Sequence, residues 1–147
     1  MYQHILVPID GSKLSTKALV HALRLAQAIG ARVTAFHASP DYPVELYGDS
    51  VVYQPLARDK YAALCKKEAD RILNAAAQKG KKAGVAVDTA HAIASAPWQA
   101  ILAAARKHKC DVIVMASHGR RGVLALLLGS ETQKVLAHSR LPVLVVR

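Results

Sequence analysis

Aromatic residues are scarce in this chain: Trp98 and Phe36 occur once each and, with five tyrosines, make up 5% of the 147 residues. A core without them has to be filled by Ala, Val, Leu and Ile. The 52% hydrophobic content is of that kind, as expected where helices pack closely on a parallel sheet. Cysteine is nearly missing too. Cys65 and Cys110 lack CxxC or zinc-type spacing, which excludes a disulfide framework and predicts two buried, reduced thiols. No apolar run approaches the roughly 20 residues of a membrane span. Met1-Tyr2-Gln3-His4 has no basic start before the strand-like Ile5-Leu6-Val7, so it does not read as a signal peptide. A cytoplasmic location without membrane association is the resulting expectation.

Acidic residues are the minority charge, 10 against 20 Lys and Arg, for a formal net charge of +10. Such an excess draws polyanions, but the cations are spread along helical stretches, as in Lys66-Lys67 and the runs at 79–82 and 106–109. No motif interleaves them with aromatics, so a solvated surface is predicted rather than specific nucleic-acid recognition. Several chemical signatures are absent as well. There is no GxxxxGK[ST] and hence no P-loop lysine, no GxGxxG, and no GxSxG elbow around Ser117. His4, His21, His37, His91, His108 and His138 show no HExxH or other paired ligand spacing. Side chains of adjacent residues rarely face each other, so Ser117 and His118 are not expected to form a nucleophile and base pair.

What is present is a regular alternation of strand and helix signals over one domain, residues 1–147. Strands are predicted at 5–9, 32–37, 85–93, 111–115 and 143–146. Ser12 or Ser15 can cap a helix that Gly30 stops, and a helix over about 55–78 is ended by Gly80. Pro97 suits the first turn of a helix to about Lys107, and a last helix follows Ser130. Residues 40–55, with Pro, Gly, Asp and Tyr, read as a long surface loop. Five strands separated by helices make an α/β fold, an open doubly wound five-stranded parallel sheet with its ligand crevice outside the strands' carboxyl ends.

Residues 111–130, DVIVMASHGRRGVLALLLGS, carry the strongest local signal. An apolar strand, Val112 to Met115, runs into a loop punctuated by Gly119, Gly122 and Gly129. These glycines let main-chain N–H groups approach a ligand closely, and the helix after Ser130 aims its positive end back at the loop, which favours phosphate. Ser130 as N-cap with Gln133 three residues on has the form of a capping box. Asp10, directly after the first strand, either accepts from a ligand or shapes the Asp10-Gly11 turn. Ser12 caps, contacts phosphate, or does both. His118, Arg120 and Arg121 are either phosphate contacts or ordinary loop charges.

The loop resembles that of the ATP-binding branch of the universal stress protein family, which reads G-x-x-G, nine residues, then G-S or G-T. Here Ala116, Ser117, His118 and Gly119 are followed by nine residues and then by Gly129 and Ser130, with Ala116 at the first glycine. HILVPIDGS at 4–12 and LPVLVVR at 141–147 extend the resemblance over the whole chain. It implies a Rossmann-like sheet, related to the adenine nucleotide alpha hydrolases, of strand order 3-2-1-4-5. It implies binding of ATP or AMP, with Mg²⁺ accompanying ATP on Asp10. Pro8, Ile9, Asp10, Ser12, Ala38, Met115, Ala116, Ser117, His118, Gly119, Arg120, Gly129, Ser130, Glu131 and Thr132 would line the site. A homodimer through Val143–Val146 and an unknown protein partner are also implied. Binding is easier to defend than turnover, because no second acid near the loops completes a phosphoryl-transfer site. The expectation is therefore a nucleotide-linked stress-response regulator. The alternatives are a partner-binding stress protein that uses no nucleotide, and a slow ATPase.

Overall fold

The computed structural model describes residues 1–42, 46–47, 50–51, 55–119 and 127–147, with the backbone alone at 46–47, 50–51 and 55–57. Elements follow in the order β1 His4–Pro8, α1 Lys13–Ile29, β2 Arg32–Pro40, β3 Leu46–Tyr47, β4 Ser50–Val51, α2 Pro55–Ala83, β5 Val87–Ala94, α3 Pro97–Lys107, β6 Val112–Ala116, α4 Ser130–His138 and β7 Val143–Val146. All pairings in the main sheet are parallel, in the order β5-β2-β1-β6-β7. Counted by main-sheet strands alone, this is 3-2-1-4-5, the predicted topology.

The strands are apolar on both faces because helices cover both faces. Ile5, Val7, Val33, Ala35, Val112 and Val114 pack under α1 and α2, with Leu19, Leu23, Ile72 and Leu73. Leu6, Phe36, Ile113 and Met115 pack on the other side against Ile101, Leu102 and Val135 from α3 and α4. Full burial of each such side chain is worth about 1.5–3 kcal/mol. Cys65 and Cys110 are both buried free thiols, and burial pushes the Cys110 thiol up to about 11. Among the described residues no helix is long and apolar enough to cross a membrane.

Three boundaries depart from the sequence-based expectation. β2 runs on to Pro40 because β5 pairs it throughout, Val33 to Pro40 against Val87 to Ala94. Part of the predicted loop at 40–55 holds the short antiparallel pair β3 and β4, and its residues 43–45, 48–49 and 52–54 lie outside the described residues. The α2 helix passes through Gly80 and ends at Ala83, before Gly84 with its left-handed φ of +65°.

Gly80 is there for space, not for a turn. A Cβ at this position would lie 2.2 Å from Val87 Cγ2, 2.9 Å from Val87 Cβ and 3.1 Å from the Val85 carbonyl oxygen. The helix thus crosses the start of β5 at backbone contact. Glycine to alanine inside a helix ordinarily stabilises by about 0.5–1 kcal/mol. Here the overpacking should reverse the sign, with Gly80→Ala destabilised by about 1–3 kcal/mol in urea unfolding. Gly80→Ala with Val87→Ala should be less destabilised than the two single effects added together, and a Gly80→Ala protein more stable than the parent would refute the contact.

Candidate functional site

The sheet reverses its winding between β1 and β6, which lie side by side with Ile5 opposite Val112 and Leu6 opposite Ile113. Their carboxyl ends therefore open into one crevice. The chain leaves β1 through Ile9, whose N–H donates to the Phe36 carbonyl at 2.8 Å. It then turns at Gly11, in the left-handed region at φ +80°. Asp10 Oδ1 accepts from the Ser12 N–H at 2.9 Å, and Ser12 Oγ accepts from the Ser15 N–H at 3.1 Å and caps α1. The second carboxylate oxygen faces across the crevice: a Cβ on residue 119 would lie 2.8 Å from Asp10 Oδ2. Asp10 thus shapes its turn with one oxygen and meets Gly119 with the other.

From β6, the Ser117 N–H donates to the Val146 carbonyl at 2.8 Å, and the Ser117 carbonyl accepts from the Gly129 N–H at 2.7 Å. This second bond brings the start of α4 back over the end of β6. A Cβ on residue 129 would sit 3.0 Å from His118 Cα and 3.1 Å from His118 Cβ, so the close approach calls for glycine although its φ of −61° does not. The predicted capping box does not form. Gly129 is the N-cap with no side-chain cap, Ser130 is the first helical residue, and Gln133 Nε2 donates instead to the Leu128 carbonyl at 2.7 Å. With Gly129 drawn onto Ser117 and serving as N-cap, the helix begins one residue earlier than a serine cap at 130 would place it.

The other predicted residues fall into groups. Ala116 ends β6, buried, and its carbonyl accepts from Thr132 Oγ1 at 3.0 Å, so the Thr132 hydroxyl fastens α4 to the strand. Among the described non-glycine residues only Lys109 has positive φ, so alanine in place of the motif's first glycine causes no backbone strain. Ile9 and Met115 are buried on opposite faces of the sheet, leaving main chain rather than side chain for a ligand. Pro8 is half-buried at the end of β1, and Ala38 packs toward α3. Ser117 Oγ and His118 Nδ1 lie 3.2 Å apart, against the expectation for adjacent residues, because the chain bends sharply after β6. Arg120 and Arg121 lie outside the described residues.

Glu131 has a role that sequence reasoning missed. Its Oε2 accepts from the Trp98 N–H at 2.8 Å, in the first turn of α3, and Lys134 Nζ stands 3.5 Å from Oε1. The α3 N-cap, Ala96, has no side-chain acceptor, so an oxygen from another element satisfies that N–H. Alanine before Pro97 was the available signal. Trp98 also stacks on His138 with ring centroids 4.6 Å apart, which ties α3 to both ends of α4.

Beside Ala38, on the α2 side of the sheet, a second unpredicted feature holds the end of β2. His37 Nδ1 donates to the Ile9 carbonyl at 2.8 Å, directly before Asp10, and its ring stacks on His91 at 5.9 Å. His91 Nε2 and Ser39 Oγ share a hydrogen bond of 2.8 Å. Burial first, and then neighbouring His37, hold the His91 pKa below its ordinary 6.5. Among the described residues no three His, Cys, Asp or Glu side chains converge as metal ligands. The Asp10 carboxylate suits a cation delivered with phosphates, since Mg²⁺ typically takes one or two carboxylates plus phosphate and water.

The site pairs a fixed acceptor, Asp10, with a glycine-lined helix N-terminus suited to anions. The profile of the "Universal stress protein family" matches residues 1–147. The universal stress protein in the QAH/OAS sulfhydrylase 3′ region of Thermus aquaticus is 35% identical, with all of both chains covered. Universal stress protein UspA from Lactobacillus plantarum superposes with a TM-score of 0.78 at 25% identity, covering 99% of this chain and 98% of that one. A universal stress protein solved in complex with cAMP superposes with a TM-score of 0.70 at 26% identity, covering 99% and 97%.

Because folded His91 resists a proton that the unfolded chain binds near pH 6.5, unfolding takes up protons below that pH. The stability it contributes is present above pH 6.5 and declines as pH falls toward the depressed folded value. Urea midpoints should drop from pH 7.5 to 5.5, and His91→Gln should flatten that drop; an equal drop in the variant would remove His91 as the cause.

Proposed function

The chain belongs to the universal stress protein family, and on that premise we propose that it binds an adenine nucleotide in the crevice between Asp10 and Gly129 and acts as a nucleotide-linked regulator. The carrying observation is the pair of close approaches, Asp10 Oδ2 on Gly119 and Gly129 on His118, which leave backbone exposed where any larger residue would fill the space. The relative solved with cAMP supports the choice of adenine nucleotide. The ligand is ATP or AMP: adenine lies along the main chain at Ala38, the ribose hydroxyls meet Asp10, and the phosphates lie at Gly119, Gly129 and the first turn of α4. With ATP, Asp10 would hold Mg²⁺ together with the phosphates, and the ion would supply charge neutralisation.

Nucleotide stabilises one arrangement of Gly119 and Gly129 about the crevice by its differential affinity for it, and a cytoplasmic partner protein reads that arrangement. The protein acts as a homodimer. β7 is an edge strand of the main sheet with Leu144 47% exposed, and a two-fold copy of the same strand would pair and cover it.

Calorimetry of nucleotide-stripped protein with ATP, ADP and AMP, with and without Mg²⁺, should show saturable binding that Gly129→Val abolishes. Asp10→Asn keeps an oxygen for the Ser12 N–H and should weaken binding by about 10- to 100-fold, the worth of one charge-assisted hydrogen bond. No heat at protein concentrations well above micromolar, with circular dichroism unchanged, would overturn the assignment.

A further inference from the structure

In a parallel sheet with helices on its faces, all strand amino ends and all helix carboxyl ends gather at one pole, opposite the crevice. Cations that look scattered along the chain collect there. Arg32 opens β2, Lys81 and Lys82 lie in the last turn of α2, Arg106 and Lys107 end α3 with Lys109 just after it, and Arg140 follows α4. All seven are exposed. Two carboxylates share the pole, and both are engaged: Asp111 accepts from the N–H groups of Gln3 at 2.7 Å and His4 at 3.1 Å, and Asp88 lies 3.9 Å from Arg32. Among the described residues the other six cations have no ion pair. The pole therefore holds an excess of five of the chain's ten net positive charges.

One opposing effect has to be weighed. Four helix carboxyl ends, each worth about −0.5 of an elementary charge, subtract roughly two charges from that excess. The pole stays positive, and compensation of the helix ends does not account for the surplus.

We propose that this pole binds the phosphate backbone of duplex nucleic acid without reading its sequence. The surface has the charge for this and little else. Among the described residues its large exposed apolar side chains are Met1, Tyr2 and, in the last turn of α4, Leu136, too few for the aromatic anchors of a protein interface or the apolar face of a membrane-surface helix. Five strands about 4.8 Å apart set the cations over roughly 19 Å, and a duplex presents one phosphate charge per about 1.7 Å of axis. Release of condensed counterions drives the association, which is why it needs no groove-reading element.

Fluorescence anisotropy of a labelled duplex of random sequence tests this, with AMP in excess so that the crevice is occupied and plays no part. With about five phosphates neutralised, the logarithmic salt slope should be about −4.5, a loss of roughly 500-fold between 50 and 200 mM salt. Lys81→Glu, Lys107→Glu and Lys109→Glu combined should abolish binding. Arg24→Glu, Lys60→Glu and Lys67→Glu combined, exposed sites elsewhere with the same change in net charge, should leave most of it. Thermal melting confirms that both variants fold. Three results would overturn the proposal: no binding at 50 mM salt, equal weakening by both triple variants, or tighter binding to vesicles containing phosphatidylserine than to the duplex.

Discussion

Everything at the crevice depends on the absence of a side chain between Asp10 and the backbone of residue 119. Asp10 Oδ2 stands 2.8 Å from the point where a Cβ would be, so the carboxylate of one loop lies directly on the main chain of the other. That contact exists because β1 and β6 are neighbours, and they are neighbours because the chain winds outward from β1 in both directions. Neither loop is a site alone. The first is a capped turn at the head of α1 and the second is a bend that delivers α4, and the sheet's change of direction makes them one surface.

The same economy governs how α3 and α4 meet. An N-cap without a polar side chain leaves first-turn donors to be satisfied from elsewhere, and Glu131 reaches across from α4 to do it. Trp98 then packs its ring on His138 at the far end of α4. The helix that presents its positive end to the crevice is therefore held at both ends by α3 and at its start by Ser117 and Ala116. An anion site built on backbone dipoles needs this rigidity, since the dipoles act only while they stay aimed.

Much of this was legible in the residue order. The α/β class and the helix stops at Gly30 and around 107 followed from periodicity and punctuation, while the strand order came from the resemblance at 4–12, 111–130 and 141–147. Gly80 misled because a glycine in a helical pattern reads as a stop, whereas here it reflects the approach of β5, a partner seven residues away along the chain and in contact only after folding. Ser130 misled for a related reason: as a local cap it fits the rule, but Gly129 is drawn into a long-range bond with Ser117. The contacts that Glu131, His37 and His91 make were not legible because their partners lie on other elements. The polarity of the charge was hidden too, since seven cations at one pole come from four separate stretches of sequence.

The bond from the Ser117 N–H to the Val146 carbonyl has a further consequence, for the order of events during synthesis. Strands β1, β2, β5 and β6 are all made before residue 117 is finished, so a four-stranded sheet can form as the chain emerges. The Ser117 donor then has to wait for residue 146 before it finds its acceptor. The turn that carries the binding loop is thus fixed last, when β7 docks, and a growing chain holds its fold before it holds its crevice.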